Sequence, residues 1–401
     1  MNRRSFVRGI ASSAALAATP LLLPRSALAA LPSGTLGSEE LITAPGKRPL
    51  IKRSFRPPNY ETPVGEFATL LTPNDRFFVR WHLASIPELD ARDWRLTVSG
   101  DAAATPLELS LEDLRHGFER VELVAVCQCA GNRRGLSDPH VAGVQWGYGA
   151  MGNARWAGVR LKDVLAKAGI AADAVEVAFD GADQGALDKT PDFIKSIPVW
   201  KAMDENTIIA FEMNGEPLPH LNGAPARIVV PGWAATYWMK KVVSIRALRK
   251  PLESFWMQKG YRIPKGKFPV VDRFATQENA DTMPITDLVV NSLITSHTDA
   301  QRVRAGAPLT ISGIAWDGGF GIRSVDLSVD GGRSWQAADI GNDAGRFSFR
   351  PWTFAFTPTP GAPVISARAT NGVGATQVDR LIFNGGGYHN NVIQRIALQA
   401  E

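Results

Sequence analysis

One stretch of the sequence, residues 121–134, constrains most strongly what this chain can fold into. It reads VELVAVCQCAGNRR: an apolar, β-branched run that predicts a buried strand, then an Ala-Gly-Asn turn and two arginines. Both cysteines of the chain, Cys127 and Cys129, lie in this stretch. Residues two apart on a strand have Cα atoms about 7 Å apart, at or beyond the limit for a disulfide, so we expect two free thiols.

The two cysteines have different expected roles. Cys127 follows Val-Ala-Val, and a free cysteine inside such a strand is most often a small buried core residue. Cys129 stands where the strand pattern stops, near Arg133 and Arg134, a position that favours reactivity over packing. A thiolate is a soft ligand that suits a polarisable transition metal, and arginines beside it can hold an oxyanion. The stretch therefore indicates redox chemistry on an oxyanion at a metal centre.

The segment CAGNRR, which begins at Cys129, resembles the cysteine motif of the sulfite oxidase family of molybdenum enzymes. The resemblance continues on both sides over most of the chain, and it implies a mixed α/β domain that binds molybdopterin. It also implies that Cys129 is the protein ligand to molybdenum and that Arg134 is a catalytic residue that orients the substrate. Arg133 is expected to be structural or to face the pterin.

A second match lies in the stretch DRFFVRWH, whose aromatic and β-branched content predicts a strand over Asp75–His82. It resembles the family's Arg-Asn-His segment, in which the arginine contacts the substrate and the segment contacts the pterin. The resemblance thus implies that Arg80 is catalytic and that Val79, Arg80 and His82 bind the cofactor. Trp81 replaces the usual asparagine.

Other matches imply further residues near the pterin: Asp183, Asn222, Arg227 and Lys240. Asn222 stands where the family has a histidine, so its expected contact is a hydrogen bond from the amide. The planar guanidinium of Arg227 suits the binding of a phosphate group. Lys241 is the alternative to Lys240.

Near the end of the catalytic domain, Tyr261 matches the family tyrosine that lies over the substrate pocket. An isolated tyrosine would more often be a packing residue, but the resemblance implies a catalytic phenol that hydrogen-bonds the bound oxyanion. Family members also tend to supply another substrate-side arginine near the chain end. Here Asn390 stands in that place, with His389 and Arg395 as neighbours, so the third positive group is left open.

The chain divides into four segments. Residues 1–29 have the paired arginines, apolar run and small-residue cleavage site of a twin-arginine export signal, which implies a periplasmic protein. Residues 30–58 are expected to be an extended N-terminal segment, and residues 59–275 the molybdopterin-binding catalytic domain. In residues 276–401, alternating runs such as Ser324–Asp330 predict an immunoglobulin-like β-sandwich, which the resemblance identifies as a dimerisation domain. The predicted fold class is therefore α+β.

Two short helices are predicted in the catalytic domain. The first spans Leu109–His116, where Ser110 is the expected N-cap residue with Asp113 three residues on. The second spans Leu161–Ala168 and is expected to end at Gly169.

Charge and hydropathy exclude two other classes of protein. Residues 1–29 contain four arginines and no acidic residue, so their removal lowers the formal net charge from +5 to about +1, by 5 − 4. This near-neutral mature chain gives no support for a nucleic-acid partner. The N-terminal apolar run is shorter than the roughly 20 residues of a membrane span, so we expect no stable membrane insertion.

These observations and the family resemblance predict a sulfite dehydrogenase that oxidises sulfite to sulfate at a molybdenum centre held by molybdopterin. The chain has no Cys-x-x-Cys-His motif, no second cysteine cluster and too little remaining length for an added haem or flavin domain. We therefore expect neither haem nor flavin, and an external c-type cytochrome as electron acceptor. We also expect a homodimer. One alternative is a molybdopterin oxotransferase of the same fold that reduces nitrate or a sulfoxide. Another is a non-catalytic secreted binding module, suggested by the β-sandwich alone.

Overall fold

The structure, a computed structural model, describes residues 39–265 and 281–401. The predicted export signal and the predicted domain boundary at residues 275 and 276 lie outside the described residues. Among the helices that are described, none has the length and apolar character needed to cross a membrane.

The described part of the catalytic domain is built mainly of strands. Its strands are β1 (Leu41–Ile42), β2 (Leu50–Ser54), β3 (Asn59–Glu61), β4 (Val79–Arg80), β5 (Leu96–Ser99), β6 (Leu107–Leu109), β7 (Arg120–Gln128), β8 (Met151–Arg160), β9 (Glu176–Gly181), β10 (Lys195–Pro198), β11 (Ile208–Met213), β12 (Glu216–Pro217), β13 (Arg227–Val229), β14 (Val242–Leu248) and β15 (Arg262–Pro264). Its α-helices are α1 (Leu111–Gly117), α2 (Leu161–Ala168), α3 (Val199–Ala202) and α4 (Phe255–Gln258), and its 3₁₀ turns are Val64–Ala68, Arg134–Leu136, His220–Asn222 and Ala235–Tyr237.

The N-terminal segment adds strands to the catalytic domain. Strands β1 to β4 form an antiparallel sheet in chain order, over a small apolar cluster that includes Leu50, Tyr60 and Trp81. The predicted strand over Asp75–His82 was too long, because only β4 pairs with β3. A turn occupies residues 74–76, before β4 begins.

Two larger sheets form the centre of the catalytic domain. One has the strand order β10-β9-β14-β5-β6, in which only β14 and β5 are parallel, and the other has the order β12-β11-β8-β7 with β13 beside β11. Strand β7 pairs with β8 along its whole length and ends one residue before Cys129. The helices agree with the sequence pattern: Ser110 and Asp113 form a capping box at α1, and α2 ends at Gly169, whose φ is 65°.

The remaining strands belong to the C-terminal domain. They are β16 (Thr282–Pro284), β17 (Asn291–Ile294), β18 (Arg302–Val303), β19 (Leu309–Trp316), β20 (Ile322–Ser328), β21 (Gln336–Ala337), β22 (Asp339–Ile340), β23 (Arg350–Phe356), β24 (Val364–Asn371), β25 (Gln394–Ala397) and β26 (Gln399–Ala400). Two four-stranded sheets, β17-β19-β23-β22 and β21-β20-β24-β25, share one apolar core to which Val325 and Trp352 contribute. The predicted β-sandwich is confirmed. Strand β20 ends earlier than predicted because the Asp330 carboxylate accepts hydrogen bonds from backbone N–H groups of the following turn.

The β-sandwich packs directly against the end of β7. The Trp316 indole donates to Gln128 Oε1 at 2.7 Å. Arg133, fully buried and at a φ of 68°, donates to the carbonyl oxygens of Ser292 at 2.8 Å and Val392 at 3.0 Å. The turn that follows Cys129 is therefore fixed by both domains.

Candidate active site

Cys129 stands at the point where β7 leaves its sheet. Its backbone N–H donates to the Ala150 carbonyl at 2.9 Å, and its carbonyl accepts from the Asn132 N–H at 3.0 Å. The Asn132 side chain closes the turn by accepting from the Ala150 N–H at 3.0 Å. The cysteine thus lies on a rigid, buried turn. Both cysteines are free, as predicted.

A cavity opens beside this turn. Most of the predicted site residues of the described chain line it: Arg80, His82, Cys129, Asp183, Asn222, Arg227, Lys240 and Tyr261. They come from β4, β13 and the turns and loops between the strands, so the fold collects them from distant parts of the sequence. Among the described residues, neither Val79 nor Arg134 is part of this lining.

Arg80, Cys129 and Tyr261 meet on one side of the cavity. Burial lowers the pKa of Arg80, but the neighbouring Tyr261 oxygen and Cys129 sulfur outweigh this effect and raise it above the ordinary value. Burial raises the pKa of Tyr261, although Arg80 opposes the rise. A charged guanidinium and a neutral phenol therefore face the same space as the thiol.

His82 completes this side of the cavity. Its Nε2 is hydrogen-bonded to the Tyr261 hydroxyl, and its ring stacks on Phe193 with centroids 3.6 Å apart. Burial, followed by the positive charges of Arg80 and Lys240, holds the pKa of His82 well below its ordinary value. Since Arg80 has only donors and faces the Tyr261 oxygen, we assign the phenol hydrogen to the bond with Nε2 of a neutral His82. The bond holds the phenol neutral and fixes its orientation at the cavity.

Arg227 lies fully buried on another wall. Its Nη1 donates to the Asn222 carbonyl at 2.9 Å, and its Nη2 donates to the Trp238 carbonyl at 3.3 Å and to Cys127 Sγ at 3.8 Å. Its Nε and the hydroxyl of Thr236, another lining residue, are buried without a hydrogen-bond partner. Unpaired buried donors are costly, so this wall is suited to an oxygen-rich anionic group such as the phosphate of a pterin cofactor.

The described residues fit a metal held by a single protein thiolate. No group of three or more His, Cys, Asp or Glu side chains in residues 39–265 and 281–401 is arranged to hold a metal ion. Cys129 and the unpaired donors are on the same cavity. A metal at Cys129 would thus need most of its ligands from a cofactor, as the family resemblance implies.

Asn222 lines the cavity and its side chain also bonds other parts of the protein, while its contact with the cofactor stays a prediction. Its amide oxygen accepts from Lys47 Nζ at 2.5 Å, and its amide nitrogen donates to the Phe78 carbonyl at 3.1 Å. Both ends of the amide are therefore engaged within the protein. Asn222 supports the cavity by presenting its own carbonyl to Arg227.

The choice between the two lysines follows from their neighbours. Lys240 lines the cavity, 4.5 Å from the Trp81 ring, and burial lowers its pKa to about 8. Lys241 instead donates to the Ala224 carbonyl at 2.9 Å and contacts His220. The geometry therefore favours Lys240 as the cofactor-facing lysine.

Arg134 does not line the cavity, because Tyr388 lies between its guanidinium and Tyr261. Its Nε donates to the Gly386 carbonyl at 2.8 Å, and its guanidinium lies 5.4 Å from the Tyr388 ring. Tyr388 stacks on Tyr261 with centroids 5.6 Å apart. Arg134 thus reaches the site through two stacked phenols, and its direct contact with substrate stays a prediction. Val79, also predicted at the cofactor, is buried in the apolar cluster of the N-terminal sheet.

The segment near the chain end supplies no arginine to the cavity within the described residues. Asn390 donates to the Arg133 carbonyl at 3.0 Å, and Arg395 forms an ion pair with Asp379. Tyr388 is the residue of this segment that packs against the site. The residue that supplies a third positive group stays open, and the Asn390 amide instead helps to hold the turn after Cys129.

Sequence reasoning missed two lysines near the site and the position of Cys127 in the cavity lining. Lys47 lies in the N-terminal segment, where no chemistry was expected, and Lys195 lies 5.3 Å from the Tyr261 ring. Neither has a local signal, because each reaches the site only through tertiary packing. Cys127 was expected to be core only, yet it also lines the cavity. The two-residue strand period that it shares with Cys129 was an available signal.

Comparisons with known proteins agree with this geometry. Residues 82–256 match the model of the oxidoreductase molybdopterin binding domain, and residues 282–401 match the model of the Mo-co oxidoreductase dimerisation domain. The chain is 38% identical over 322 residues to mitochondrial sulfite oxidase of Homo sapiens, which covers 77% of this chain and 57% of that protein. It is 32% identical over 328 residues to sulfite oxidase of Arabidopsis thaliana, covering 78% of this chain and 81% of that protein.

Two further relatives are informative. The NAD(P)H nitrate reductase of Hordeum vulgare is 29% identical over 388 residues, covering 89% of this chain and 42% of that protein. The crystal structure of the sulfane dehydrogenase SoxCD from Paracoccus pantotrophus superposes with a TM-score of 0.75 at 27% identity, over 97% of this chain and 95% of that chain. The chain spans little more than half the length of the human relative, and nearly all of the SoxCD chain.

Proposed function

Because the chain belongs to the sulfite oxidase family of molybdopterin enzymes, we propose that it is a sulfite dehydrogenase that passes electrons to an external c-type cytochrome. The observation that carries the proposal is the convergence of Arg80, Cys129 and Tyr261 on one cavity, which the unpaired donors of Arg227 and Thr236 also line. A thiolate ligand, an oxyanion site and a phosphate site are the parts that such an enzyme needs.

The reaction converts sulfite and water into sulfate, two protons and two electrons, and each of two acceptor molecules takes one electron. When bound, the molybdenum centre supplies the oxygen atom and takes up the electron pair. Arg80 keeps its charge, so it can bind and orient the anion beside the Cys129 sulfur. The Tyr261 hydroxyl, which bonds His82 Nε2 in the structure, can turn to donate to an anion oxygen instead. Neutral His82 accepts this hydrogen bond at Nε2 when no anion is bound, and so keeps the phenol neutral and in place.

The other wall would hold the cofactor. Arg227 and Thr236 offer their unpaired donors to the phosphate, and Lys240 adds a positive charge. Asp183, also at the lining, is an acceptor for pterin N–H groups. Burial raises its pKa, although Lys240 opposes the rise. Cys129 would provide the thiolate bond to molybdenum.

Several parts of the proposal concern the setting of the enzyme. The export signal expected in residues 1–29 supports a periplasmic location, and the match of residues 282–401 to a dimerisation domain supports a homodimer. The proposal includes no haem and no flavin in this chain, and hence one-electron transfer to a separate cytochrome. A transient complex with such a partner is the expected mode of contact.

Two related activities are the competing proposals. The likeness to the Hordeum vulgare nitrate reductase favours nitrate reduction, but that match covers less than half of the relative. The SoxCD chain, which matches over nearly its whole length, is named as a sulfane dehydrogenase and favours oxidation of a sulfur substrate. The alternative of a non-catalytic binding module is no longer supported, since residues 282–401 match the dimerisation domain of an oxidoreductase family.

Steady-state assays on the purified, molybdenum-loaded protein test the proposal. Sulfite should reduce cytochrome c with a stoichiometry of two cytochromes per sulfite, and the Cys129→Ser variant should be inactive. Nitrate and a sulfoxide should be poor oxidants when a reduced dye supplies electrons. If the protein reduces nitrate or a sulfoxide and leaves cytochrome c unchanged with sulfite, the assignment is wrong.

A further inference from the structure

Lys195 is a buried cation that the proposed reaction does not use. It lies at the start of β10, and its whole side chain is shielded from solvent. Its Nζ donates to the Trp256 carbonyl at 2.7 Å and lies 4.7 Å from the Tyr237 ring and 5.3 Å from the Tyr261 ring. No carboxylate of the described residues forms an ion pair with it. A lysine is seldom buried unless it is paired, so its position calls for a functional explanation.

We propose that Lys195 is a positioning residue for the substrate anion: its ammonium supports the Tyr261 ring and adds positive potential to the cavity. The ammonium and the Tyr261 ring are joined by a cation–π contact, which fixes the ring. Its field reaches the cavity, because its charge is one of the causes that lower the pKa of His82. This inference rests on the proposed function only in that the substrate is an oxyanion.

The charge of Lys195 changes within the neutral pH range. Burial lowers its pKa to about 7, with the positive charge of Arg262 acting in the same direction and Glu176 opposing. Tyr237 and Tyr261, the other titratable groups against it, stay neutral because burial raises the pKa of each. The ammonium is therefore charged below pH 7 and neutral above it, so the affinity of the cavity for anions should fall as the pH rises through 7.

Sulfate is a suitable probe, because it keeps both negative charges across this range whereas sulfite does not. Sulfate binding to the holoenzyme should be measured by calorimetry at about pH 6 and pH 8. The wild-type affinity should fall roughly tenfold between the two, from the loss of one charge near a dianion. Lys240 also titrates in this range, with a pKa of about 8, so the difference between wild type and variant isolates Lys195.

Three variants make the test specific. Lys195→Met should bind sulfate roughly tenfold more weakly at pH 6 and keep only a small pH dependence. Lys195→Arg should bind tightly at both pH values, because arginine does not lose its proton. Lys201→Met is the matched control: this lysine lies 5.7 Å from the Trp233 ring but is paired with Asp204, and its loss should leave sulfate binding as in wild type.

Two results would overturn the inference. One is a Lys195→Met protein with wild-type sulfate affinity at both pH values. The other is a Lys195→Arg protein whose sulfate affinity falls between pH 6 and pH 8 as steeply as in wild type. This second result tests the inference even if Lys195→Met does not fold. Molybdenum content and thermal unfolding verify that each variant is intact. Sulfate binding needs no turnover, so a protein that fails to oxidise sulfite but shows the sulfate pattern contradicts only the proposed function.

Discussion

Arg227, which lines the same cavity as Cys129, allows a quantitative prediction about cofactor binding. A guanidinium has five N–H donors. Arg227 spends three of them on the Asn222 carbonyl, the Trp238 carbonyl and Cys127 Sγ, so two remain for the cofactor, the unpaired Nε–H among them. A lysine at this position has three donors. If it keeps both carbonyl contacts, it has one donor left.

The Arg227→Lys variant should therefore lose one charge-assisted hydrogen bond to the cofactor phosphate. Such a bond contributes about 1.5–3 kcal/mol, so the variant should bind the cofactor roughly ten- to hundredfold more weakly. The positive charge is unchanged, so a general electrostatic effect does not explain the loss. Arg155→Lys is the control, because Arg155 is an exposed arginine on β8 that pairs with Glu122.

Cofactor retention can be measured without any assay of activity. Molybdenum per chain and the fluorescence of the released, oxidised pterin should be followed after dilution of wild type and both variants, with thermal unfolding as a check on the fold. We expect faster release from Arg227→Lys alone. A folded Arg227→Lys protein that keeps its cofactor as wild type does would refute the phosphate assignment of this wall.

Three further predictions follow from the same contacts. Cys129→Ser should abolish molybdenum-dependent turnover while the chain stays folded. Cys127→Ser should keep activity and release the cofactor faster, since the Cys127 sulfur contacts Arg227. Equal loss of activity in both variants would reassign the metal ligand. Tyr261→Phe should lower kcat by roughly ten- to hundredfold with little change in the unfolding temperature, because only the hydroxyl that bonds His82 is lost. The rate of enzyme reduction by sulfite should be measured by stopped flow. An unchanged rate would exclude the phenol from catalysis. Arg133→Met should cost about 2–4 kcal/mol of unfolding free energy in denaturant titrations, because two buried carbonyls lose their donor; a cost below about 1 kcal/mol would show that the contact is not structural.

The parts of the fold with strong local signals were predictable from sequence. Helix α2 was predicted with its observed bounds, because an amphipathic run meets a glycine that can adopt a positive φ. The capping box at Ser110 and the alternation in β20 are signals of the same kind. The strand over Asp75–His82 was overestimated, since aromatic content does not show where a partner strand is present.

The candidate site was predictable where a contiguous motif exists and not where packing alone creates a contact. Cys129, Arg80 and Tyr261 each stand in a recognisable stretch, and the structure brings them to one cavity. The engagement of Asn222 by Lys47 depends on a contact across 175 positions of the chain, for which no pattern in either segment exists. The same is true of Lys195, which is identified only by its neighbours in space.

The two hydrogen bonds from Arg133 into the β-sandwich limit which C-terminal domains can replace the native one. The guanidinium of Arg133, just after the Cys129 turn, uses the main-chain oxygens of Ser292 and Val392, so any C-terminal domain joined to this catalytic half must present two carbonyls at the same places. A chimaera that preserves every residue of the cavity but substitutes a foreign sandwich would leave this arginine buried without acceptors. Domain exchange within such enzymes therefore depends on backbone geometry at the junction, more than on side chains at the cofactor.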